Sequence, residues 1–456
     1  MQEFTITQLT DNNVDDGDVQ TSKGNAVWTA SDGNDDEIFF YDGESSRRLT
    51  YNDDFDNTPQ ISGNNLTWQQ TESDPLLSIF DGSEVVVYDG ETETIETIAE
   101  VDSLTFPGIS GNNVVWGEDF IFGGTVSLYN GKSISELTDN GAFFPISSSV
   151  FGNNIVWASG FDEDFRGYGD IFLYDGRTTT QITNNASDNF INALPSVSGG
   201  NIAWTGSEIG ATSDETAGDV FFYDGEAEEI IQLTNDDVLD AVIGVSGDNV
   251  IWSSGDLTES ELFLYDGEET IQLTSDRTET FTGGSISGNQ VVWSESDGND
   301  TEIFLYDGET TIQITDNDLD DDFPDINQGT IVWSGDDGND TEIFLVTLEE
   351  AERRNNSNST GNRFKRNNTG TNFYTADETE QDAVEDIDSL TGEKSTEVAF
   401  DTMSEKATSQ DITDFGFAGL PYERAIYSSS IGEIVEDNLI DSQFAEADLI
   451  LPSEEF

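Results

Sequence analysis

The chain of 456 residues carries 95 acidic and 15 basic side chains, no histidine and no cysteine, which gives a formal charge of −80. This charge excludes nucleic-acid binding through phosphate neutralisation, and anionic membrane surfaces repel it. The missing His and Cys remove the usual general base, the commonest metal-binding side chain and any disulfide framework. We therefore expect cationic partners, such as metal ions or basic protein patches. The alternative explanation of the charge is solubility at high salt.

The N-terminal run FTITQLT, at 4–10, is strand-like and begins almost at Met1. It lacks the basic region and apolar core of a secretory signal, so no N-terminal signal peptide is expected. Membrane insertion is not expected either, because no run approaches the ~20 apolar residues of a spanning helix.

Eight tryptophans divide the chain up to about residue 348 into repeats. They are Trp28, Trp68, Trp116, Trp157, Trp204, Trp252, Trp293 and Trp333, at spacings of 40 to 48 residues. Within each repeat, short apolar runs between Gly, Asn and Asp turn residues predict four β-strands, named A to D. In the repeat at 291–315, the runs VVW, EIFLY and TIQIT are strands B, C and D. A period of this length with four short strands is typical of a β-propeller blade.

The two ends of the repeat array complement each other. The last repeat has strands B and C, at 331–333 and 342–346, but no strand D, whereas the run at 4–10 is a strand D without a repeat before it. We therefore predict an all-β, eight-bladed propeller closed by the N-terminal strand, which removes open sheet edges. Seven blades, with one degenerate repeat packed differently, is the alternative. The tryptophans are expected to fill the space between blades rather than to bind a ligand.

Loop lengths distinguish the two faces of the predicted ring. The SGNN turns between strands A and B and the YDG turns between C and D share one face and barely vary, so this face is expected to be structural. The B–C and D–A loops share the other face. Insertions at 69–84, 158–170 and 205–219 lengthen three of the B–C loops. A partner is therefore expected to bind this second face.

Aspartate-rich D–A loops open on the same second face. They lie at 11–18, 52–56, 235–240 and 316–322. In the last of these, Asp316, Asp318, Asp320 and Asp322 alternate along the chain and are the candidate metal ligands, because Ca²⁺ takes 6 to 8 oxygen ligands of this type. The alternative is a solvated loop whose carboxylates accept bonds from backbone amides. Turn chemistry alone explains the three DGND hairpins at 32–35, 297–300 and 337–340.

The repeat resembles the TolB-like propeller repeat over about residues 3–348. Inner-strand prolines occupy the expected place, and SGNN stands where that family has SPDG; the prolines are Pro59, Pro107, Pro145, Pro195 and Pro324. The N-terminal α/β domain of TolB proteins is not visible here, so the resemblance implies the fold and not the periplasmic envelope role. The repeat is also similar to propellers appended to serine peptidases and to some pectin-degrading lyases. Their catalytic residues, commonly including His, are missing, so the resemblance implies a binding platform.

Beyond the propeller at 1–348, the composition changes. Residues 349–372 are predicted to be a flexible linker, and 373–456 a mostly disordered acidic tail. A short helix near 430–447 is the exception, because Ser430 and Glu433 fit a capping box before an apolar run.

The sequence thus predicts a monomeric, non-catalytic scaffold that binds a protein or glycan through the acidic, insertion-bearing face, with possible help from Ca²⁺. No catalytic motif is recognisable, so no enzyme and no other cofactor is expected. An extracellular, cell-surface or periplasmic location is favoured. Two alternatives stay open: a carboxylate-dependent polysaccharide hydrolase or lyase, and one module of a larger adhesin-like cell-surface protein.

Overall fold

The computed structural model describes ten stretches of the chain, which together contain 32 β-strands. They are residues 4–72, 82–101, 106–118, 124–138, 148–161, 167–184, 190–208, 218–255, 260–274 and 282–348. The strands form eight separate four-stranded antiparallel sheets, and each sheet is one blade. No helix in these stretches is long and apolar enough to span a bilayer.

The first four blades follow the chain in order, with strands A to D adjacent. Blade 1 contains β2 (Asp16–Ser22), β3 (Asn25–Ser31), β4 (Asp36–Tyr41) and β5 (Ser46–Arg48). Blade 2 contains β6 (Phe55–Ser62), β7 (Asn65–Thr71), β8 (Ser83–Asp89) and β9 (Thr94–Val101). Blade 3 contains β10 (Gly108–Ser110), β11 (Asn113–Glu118), β12 (Thr125–Tyr129) and β13 (Ile134–Glu136). Blade 4 contains β14 (Ser149–Phe151), β15 (Asn154–Phe161), β16 (Gly167–Tyr174) and β17 (Thr179–Gln181).

The next three blades repeat this order, and the eighth takes its last strand from the N-terminus. Blade 5 contains β18 (Phe190–Ser198), β19 (Asn201–Glu208), β20 (Gly218–Asp224) and β21 (Glu229–Gln232). Blade 6 contains β22 (Asp240–Ser246), β23 (Asn249–Gly255), β24 (Ser260–Tyr265) and β25 (Thr270–Gln272). Blade 7 contains β26 (Thr282–Ser287), β27 (Gln290–Ser296), β28 (Thr301–Tyr306) and β29 (Thr311–Gln313). Blade 8 contains β30 (Asp321–Asn327), β31 (Thr330–Asp336), β32 (Thr341–Thr347) and β1 (Thr7–Gln8).

The ring closes where the sequence predicts. Strand β1 pairs antiparallel with β32, with Thr7 opposite Leu345 and Gln8 opposite Phe344. The N-terminal strand is therefore strand D of blade 8, and the eight-bladed prediction is confirmed over the seven-bladed alternative.

Each tryptophan lies at a blade-to-blade interface, and none of the eight is more than 2% exposed. Trp28 of blade 1 packs with Val332 and Ile343 of blade 8. Its ring stacks on Phe39 of strand C at 5.9 Å between centroids, and its indole N–H donates to Asp16 at 3.0 Å. A large aromatic residue at the same place in every blade thus fills the space between sheets.

Hydrogen bonds between the A–B turns join neighbouring blades on the face that the sequence assigns to structure. Ser22 Oγ accepts the backbone N–H of Gly63 at 2.9 Å, and Asn25 Nδ2 donates to the Gly63 carbonyl at 3.0 Å. The asparagine bond recurs from Asn65 to Gly111, Asn113 to Gly152, Asn201 to Gly247 and Asn249 to Gly288. We call these hydrogen bonds the belt, and the face on which the A–B turns lie the turn face. The belt joins neighbouring blades around the ring.

Several predictions concern residues outside the described stretches. The centres of the three insertions, at 73–81, 162–166 and 209–217, fall there. The predicted linker at 349–372 and the tail at 373–456, with its helix near 430–447, fall there as well. These segments therefore remain predictions from the sequence.

Candidate metal centre on the loop face

The B–C hairpins and D–A loops project from the face opposite the belt, which we call the loop face. In blades 7, 8 and 1, which are neighbours in the ring, the hairpin has the same sequence, Asp-Gly-Asn-Asp-x-Glu. In blade 7, the backbone N–H of Asp297 donates to the Asp300 carbonyl at 3.1 Å. Gly298 has φ +99°, a conformation that a residue with a Cβ rarely adopts. This tight turn keeps both hairpin aspartates beside the glutamate that begins the next strand.

Three carboxylates from separate segments come together in blade 7. Asp297 comes from the hairpin, Glu302 from β28 and Asp316 from the loop after β29, and their oxygens lie within 4.8 Å of one another. Glu302 is 0% exposed. Its Oε1 accepts the backbone N–H of Asn317 at 2.7 Å, whereas its buried Oε2 has no donor at hydrogen-bond distance among the described residues, although the Thr315 side chain lies beside the carboxyl. Burial raises the pKa of Glu302 to about 7, because the charged form has lost its water.

The structure separates the four ligands predicted from the sequence. Asp316 is the member that joins Asp297 and Glu302. Asp322 lies in β30, in register with Ser334, and is not part of this group. The alternation of aspartates along the loop therefore does not by itself build the cluster, because the hairpin supplies the other carboxylates.

The remaining two predicted ligands lie beside the second hairpin aspartate. Burial, and then the negative charges of Asp297, Asp320 and Asp318, raise the pKa of Asp300. Neither oxygen of Asp300 has a hydrogen-bond donor within the described part of the chain. Asp320 Oδ1 accepts the backbone N–H of Thr301 at 2.9 Å, which ties the loop to the start of β28. Loop and hairpin thus form one acidic pocket.

The hairpin carboxylates of the cluster were not predicted, because turn chemistry alone explains the DGND segments in the sequence. That explanation is correct for the turn itself, since Asp297 Oδ1 accepts the backbone N–H of Asn299 at 3.0 Å. The available signal was the glutamate two residues after each DGND, which a turn does not require. It recurs as Glu37, Glu302 and Glu342.

Blade 8 repeats this arrangement across the two ends of the propeller. Asp11, Asp337 and Glu342 bring their carboxylate oxygens within 4.8 Å of one another. Glu342 is 0% exposed, and its Oε1 accepts the backbone N–H of Asn12 at 2.7 Å. Its Oε2 is buried and has no donor in the described ranges, and the Glu342 carboxyl also interacts with that of the buried Asp16. A buried glutamate oxygen without a donor thus recurs in blade 8.

Blade 1 has the same hairpin carboxylates but carries its own cation. Asp32, Asp35 and Glu37 form the cluster, and Arg48 Nη2 donates to Asp32 Oδ2 at 2.9 Å and to Glu37 Oε1. The guanidinium lies over the ring of Tyr51, 4.5 Å from its centroid. The bond from Arg48 lowers the pKa of Asp32, whereas burial holds the pKa of Glu37 above its usual value despite the arginine.

At the position of Glu302, four further blades carry a carboxylate that accepts side-chain bonds: Glu84, Asp170, Asp219 and Glu261. In blade 4, Asp170 accepts from Gln181 Nε2 and Thr183 Oγ1, both at 3.0 Å. In blade 6, Glu261 Oε2 accepts from Thr274 Oγ1 at 2.5 Å. A buried acid at this position is thus a feature of the repeat, and the unpaired oxygens distinguish the DGND blades.

Comparison with known proteins gives similarity in fold only. No protein-family profile and no curated protein matches the chain. The propeller domain of the trilobed protease from Pyrococcus furiosus, described as having an open velcro topology, is 13% identical, with a TM-score of 0.46 over 74% of this chain and 96% of that one. An oligogalacturonate lyase in complex with manganese is 10% identical, with a TM-score of 0.43 over 76% and 94%. TolB from Acinetobacter baumannii is 16% identical, with a TM-score of 0.34 over 58% and 63%.

Several peptidases match over only part of their length, 59% for an acylaminoacyl peptidase and 47% for a prolyl endopeptidase. The chain is a β-propeller protein at this coarse level. The prediction that it is not an enzyme is corrected, because the similar propellers include those of peptidases and of a lyase. The physical reason is that missing His and Cys remove particular nucleophiles and bases, whereas carboxylate- and metal-dependent chemistry needs neither.

Proposed function

We propose that this propeller is a Ca²⁺-dependent binding domain whose loop face recognises a protein or glycan partner outside the cytoplasm, with a repeat of the TolB-like type. The observation that supports it is the buried Glu302, whose Oε2 has no donor among the described residues and whose carboxylate comes within 4.8 Å of those of Asp297 and Asp316. A buried carboxylate oxygen without a donor is unfavourable unless a proton or a cation satisfies it.

The donor set favours Ca²⁺ over other ions. All three side chains offer hard carboxylate oxygens, and Ca²⁺ binds oxygen at 2.3–2.6 Å in flexible geometry. Two oxygens bound to one such ion lie at most about 5 Å apart, and the cluster's oxygens meet that limit. Zinc and copper prefer histidine and cysteine side chains, which this chain lacks.

The exposure of the cluster connects ion binding to partner binding. Glu302 is buried, but Asp297 and Asp316 are exposed, so an ion held here faces solvent on one side. Three carboxylates leave part of a shell of 6 to 8 ligands open for water or for oxygens of a partner. Glycan hydroxyls, glycan carboxylates and protein carboxylates are suitable oxygens. A bound cation also offsets the repulsion between this acidic face and an anionic partner.

Calorimetric titration of the full chain with CaCl₂ in 1 M NaCl tests the ion site. Diffuse screening is suppressed there, because the Debye length is only about 3 Å. We expect wild-type protein to bind with a Kd of about 10⁻⁴–10⁻³ M, the range of extracellular Ca²⁺ modules. Glu302→Gln should lose one bound ion, whereas Glu261→Gln, at the same position in blade 6, should lose none. Absence of binding in wild type, or unchanged stoichiometry in Glu302→Gln, would contradict the site.

Partner recognition is tested separately, by screening protein on a panel of neutral and acidic polysaccharides with CaCl₂ or with EGTA. Binding that requires Ca²⁺ and is lost in Glu302→Gln supports the proposal. Binding that persists in EGTA contradicts the role of the ion. The same samples report cleavage of the polysaccharide, and cleavage would assign the loop face to a carboxylate- or metal-dependent enzyme.

A further inference from the structure

The seam of the ring is the interface between the N-terminal segment at 4–15 and the last blade. Strand β1 contributes only two residues to it, and both side chains are exposed. Two further bonds continue the pairing: Leu9 N–H donates to the Ile343 carbonyl at 2.7 Å, and Ile343 N–H donates to Thr10 Oγ1 at 2.8 Å. In each of the other seven blades, the four strands follow one another along the chain. The seam is thus the one interface where the sheet itself joins the two ends of the propeller.

Acidic residues from both ends converge at this seam. Asp11 lies within 4.8 Å of Asp337 and Glu342, measured between carboxylate oxygens. Asp15 Oδ1 accepts the backbone N–H of Thr341 at 3.1 Å, which brings a further carboxylate across the seam. Without a cation, like charges from the two ends repel each other where the short strand must hold them together.

Asp340, the second hairpin aspartate of blade 8, lies among the charges of Glu342, Asp337, Asp15 and Asp336. Its Oδ1 is buried without a donor among the described residues, as is Oε2 of Glu342. The seam therefore has unpaired oxygens as well as excess negative charge.

We propose that a divalent cation of the Ca²⁺ type binds Asp11, Asp337 and Glu342 and acts as a clasp that holds the propeller ring closed. The ion joins a residue directly after the N-terminal strand to two residues of the last blade, and so converts repulsion across the seam into attraction. This inference extends the proposed function, because it rests on the same ion chemistry, but it concerns a second site with a structural role.

Blade 1 shows what the same site looks like when the protein provides the cation. The residue that pairs with the strand C phenylalanine is Gln8 in blade 8 and Arg48 in blade 1. Three residues later stand Asp11 and Tyr51, respectively. At these two positions, blade 1 therefore carries a protein cation and lacks one of the carboxylates of blade 8.

Hydrogen-exchange mass spectrometry of the full chain tests the clasp, with CaCl₂ or EGTA in 1 M NaCl. The readout is the exchange of peptides that cover residues 4–12. In wild type, Ca²⁺ at about 100 times its Kd should slow this exchange about 100-fold, if opening of the seam releases the ion. Asp11→Asn should abolish that effect. Asp316→Asn, which changes the equivalent loop residue of blade 7 away from the seam, should retain it.

A second variant keeps the test informative if Asp11→Asn folds poorly. The double substitution Gln8→Arg with Asp11→Tyr installs the pair found in blade 1. It should protect residues 4–12 in EGTA, and added Ca²⁺ should slow their exchange no further.

Two results would overturn the clasp. One is Ca²⁺ protection of residues 4–12 that is undiminished in Asp11→Asn. The other is that Ca²⁺ does not change the hydrogen exchange of residues 4–12 in wild type, although calorimetry shows an ion bound in blade 7. That result would leave the proposed function intact. If calorimetry detects no ion at all, the clasp and the proposed function both fail.

Discussion

Buried aspartates that accept hydrogen bonds from the interface tryptophans make the stability of the propeller depend on pH. Asp56 is 0% exposed, accepts the indole N–H of Trp68 at 2.7 Å and accepts Asn52 Nδ2 at 2.9 Å. Burial raises its pKa to about 7. Blade 5 makes the same indole bond, at 2.8 Å, with a neutral amide, Asn192, bonded to Trp204. The contact needs an oxygen acceptor but no charge, so the aspartate adds a proton-dependent term to folding.

The sign of that term follows from the direction of the shift. Because the pKa of Asp56 is higher in the folded protein than the ordinary 3.8, folding takes up a proton between about pH 4 and 7. Its stabilising contribution is fully present below pH 4 and is lost as the pH rises to 7. The free energy of unfolding falls by at most about 4 kcal/mol over this range. We expect urea unfolding in EGTA to show this decline in wild type. Asp56→Asn should have a shallower slope between pH 4 and 7, whatever its absolute stability.

The control for this slope is Asp42→Asn, in the turn between strands C and D of the neighbouring blade 1. Asp42 is bonded to the backbone N–H groups of Ser45 and Glu44, which lower its pKa, so its contribution is lost on acidification instead. Removing it should leave the decline between pH 4 and 7 in place. An Asp56→Asn slope equal to that of wild type would show that another group carries the proton.

At the scale of elements, the order of the strands could be predicted from the sequence, whereas the carboxylate cluster could be predicted only in part. The tryptophan period and the missing strand D of the last repeat determine the blades, because each blade is a local four-stranded meander. The cluster of Asp297, Glu302 and Asp316 depends instead on how far a hairpin and a loop project from the same face. The partnership of Asp11 with Glu342 depends on ring closure as well. Proximity of that kind is set by blade geometry, and alternation along one loop does not reveal it.

The difference between blade 1 and its neighbours can be tested by exchanging elements. Arg48→Gln together with Tyr51→Asp gives blade 1 the residues of blade 7 at both positions. Without Ca²⁺, loss of the arginine leaves Asp32 and Glu37 uncompensated and should destabilise the protein by about 1–3 kcal/mol. With Ca²⁺, calorimetry should show one more bound ion than in wild type.

Arg47→Gln is the control for this exchange, because it removes the same charge from the neighbouring residue. Arg47 is half-buried, pairs with Asp42 at 2.8 Å and donates to the Tyr88 hydroxyl of blade 2 at 2.9 Å, but it is not part of the carboxylate cluster. Its removal should leave the number of bound ions unchanged. An unchanged ion count in the double variant would show that the hairpin carboxylates alone do not define the site.

At the scale of the whole molecule, the two faces of the ring differ in chemistry: one carries hydrogen bonds between blades, and the other carries the carboxylate clusters. The turn face joins neighbouring blades through Ser, Gly and Asn bonds such as those at Gly63 and Gly111. The loop face of blades 7, 8 and 1 gathers unpaired carboxylates in a chain of formal charge −80. Repulsion among so many charges opposes compaction, and salt weakens it. Two separate cation effects on stability therefore follow, one general and one specific.

The two effects can be separated by thermal unfolding at matched ionic strength. In EGTA, raising NaCl from 0.1 to 1 M shortens the Debye length from about 10 to about 3 Å, and the unfolding temperature should rise. Adding CaCl₂ to 1 M NaCl should raise it again, because bound ions stabilise the folded state by about 2.7 kcal/mol per site at about 100 times Kd. The double variant Glu302→Gln with Glu342→Gln should keep the NaCl response and lose the additional Ca²⁺ response. If CaCl₂ adds nothing to wild type beyond NaCl of equal ionic strength, the loop-face carboxylates act only through diffuse charge.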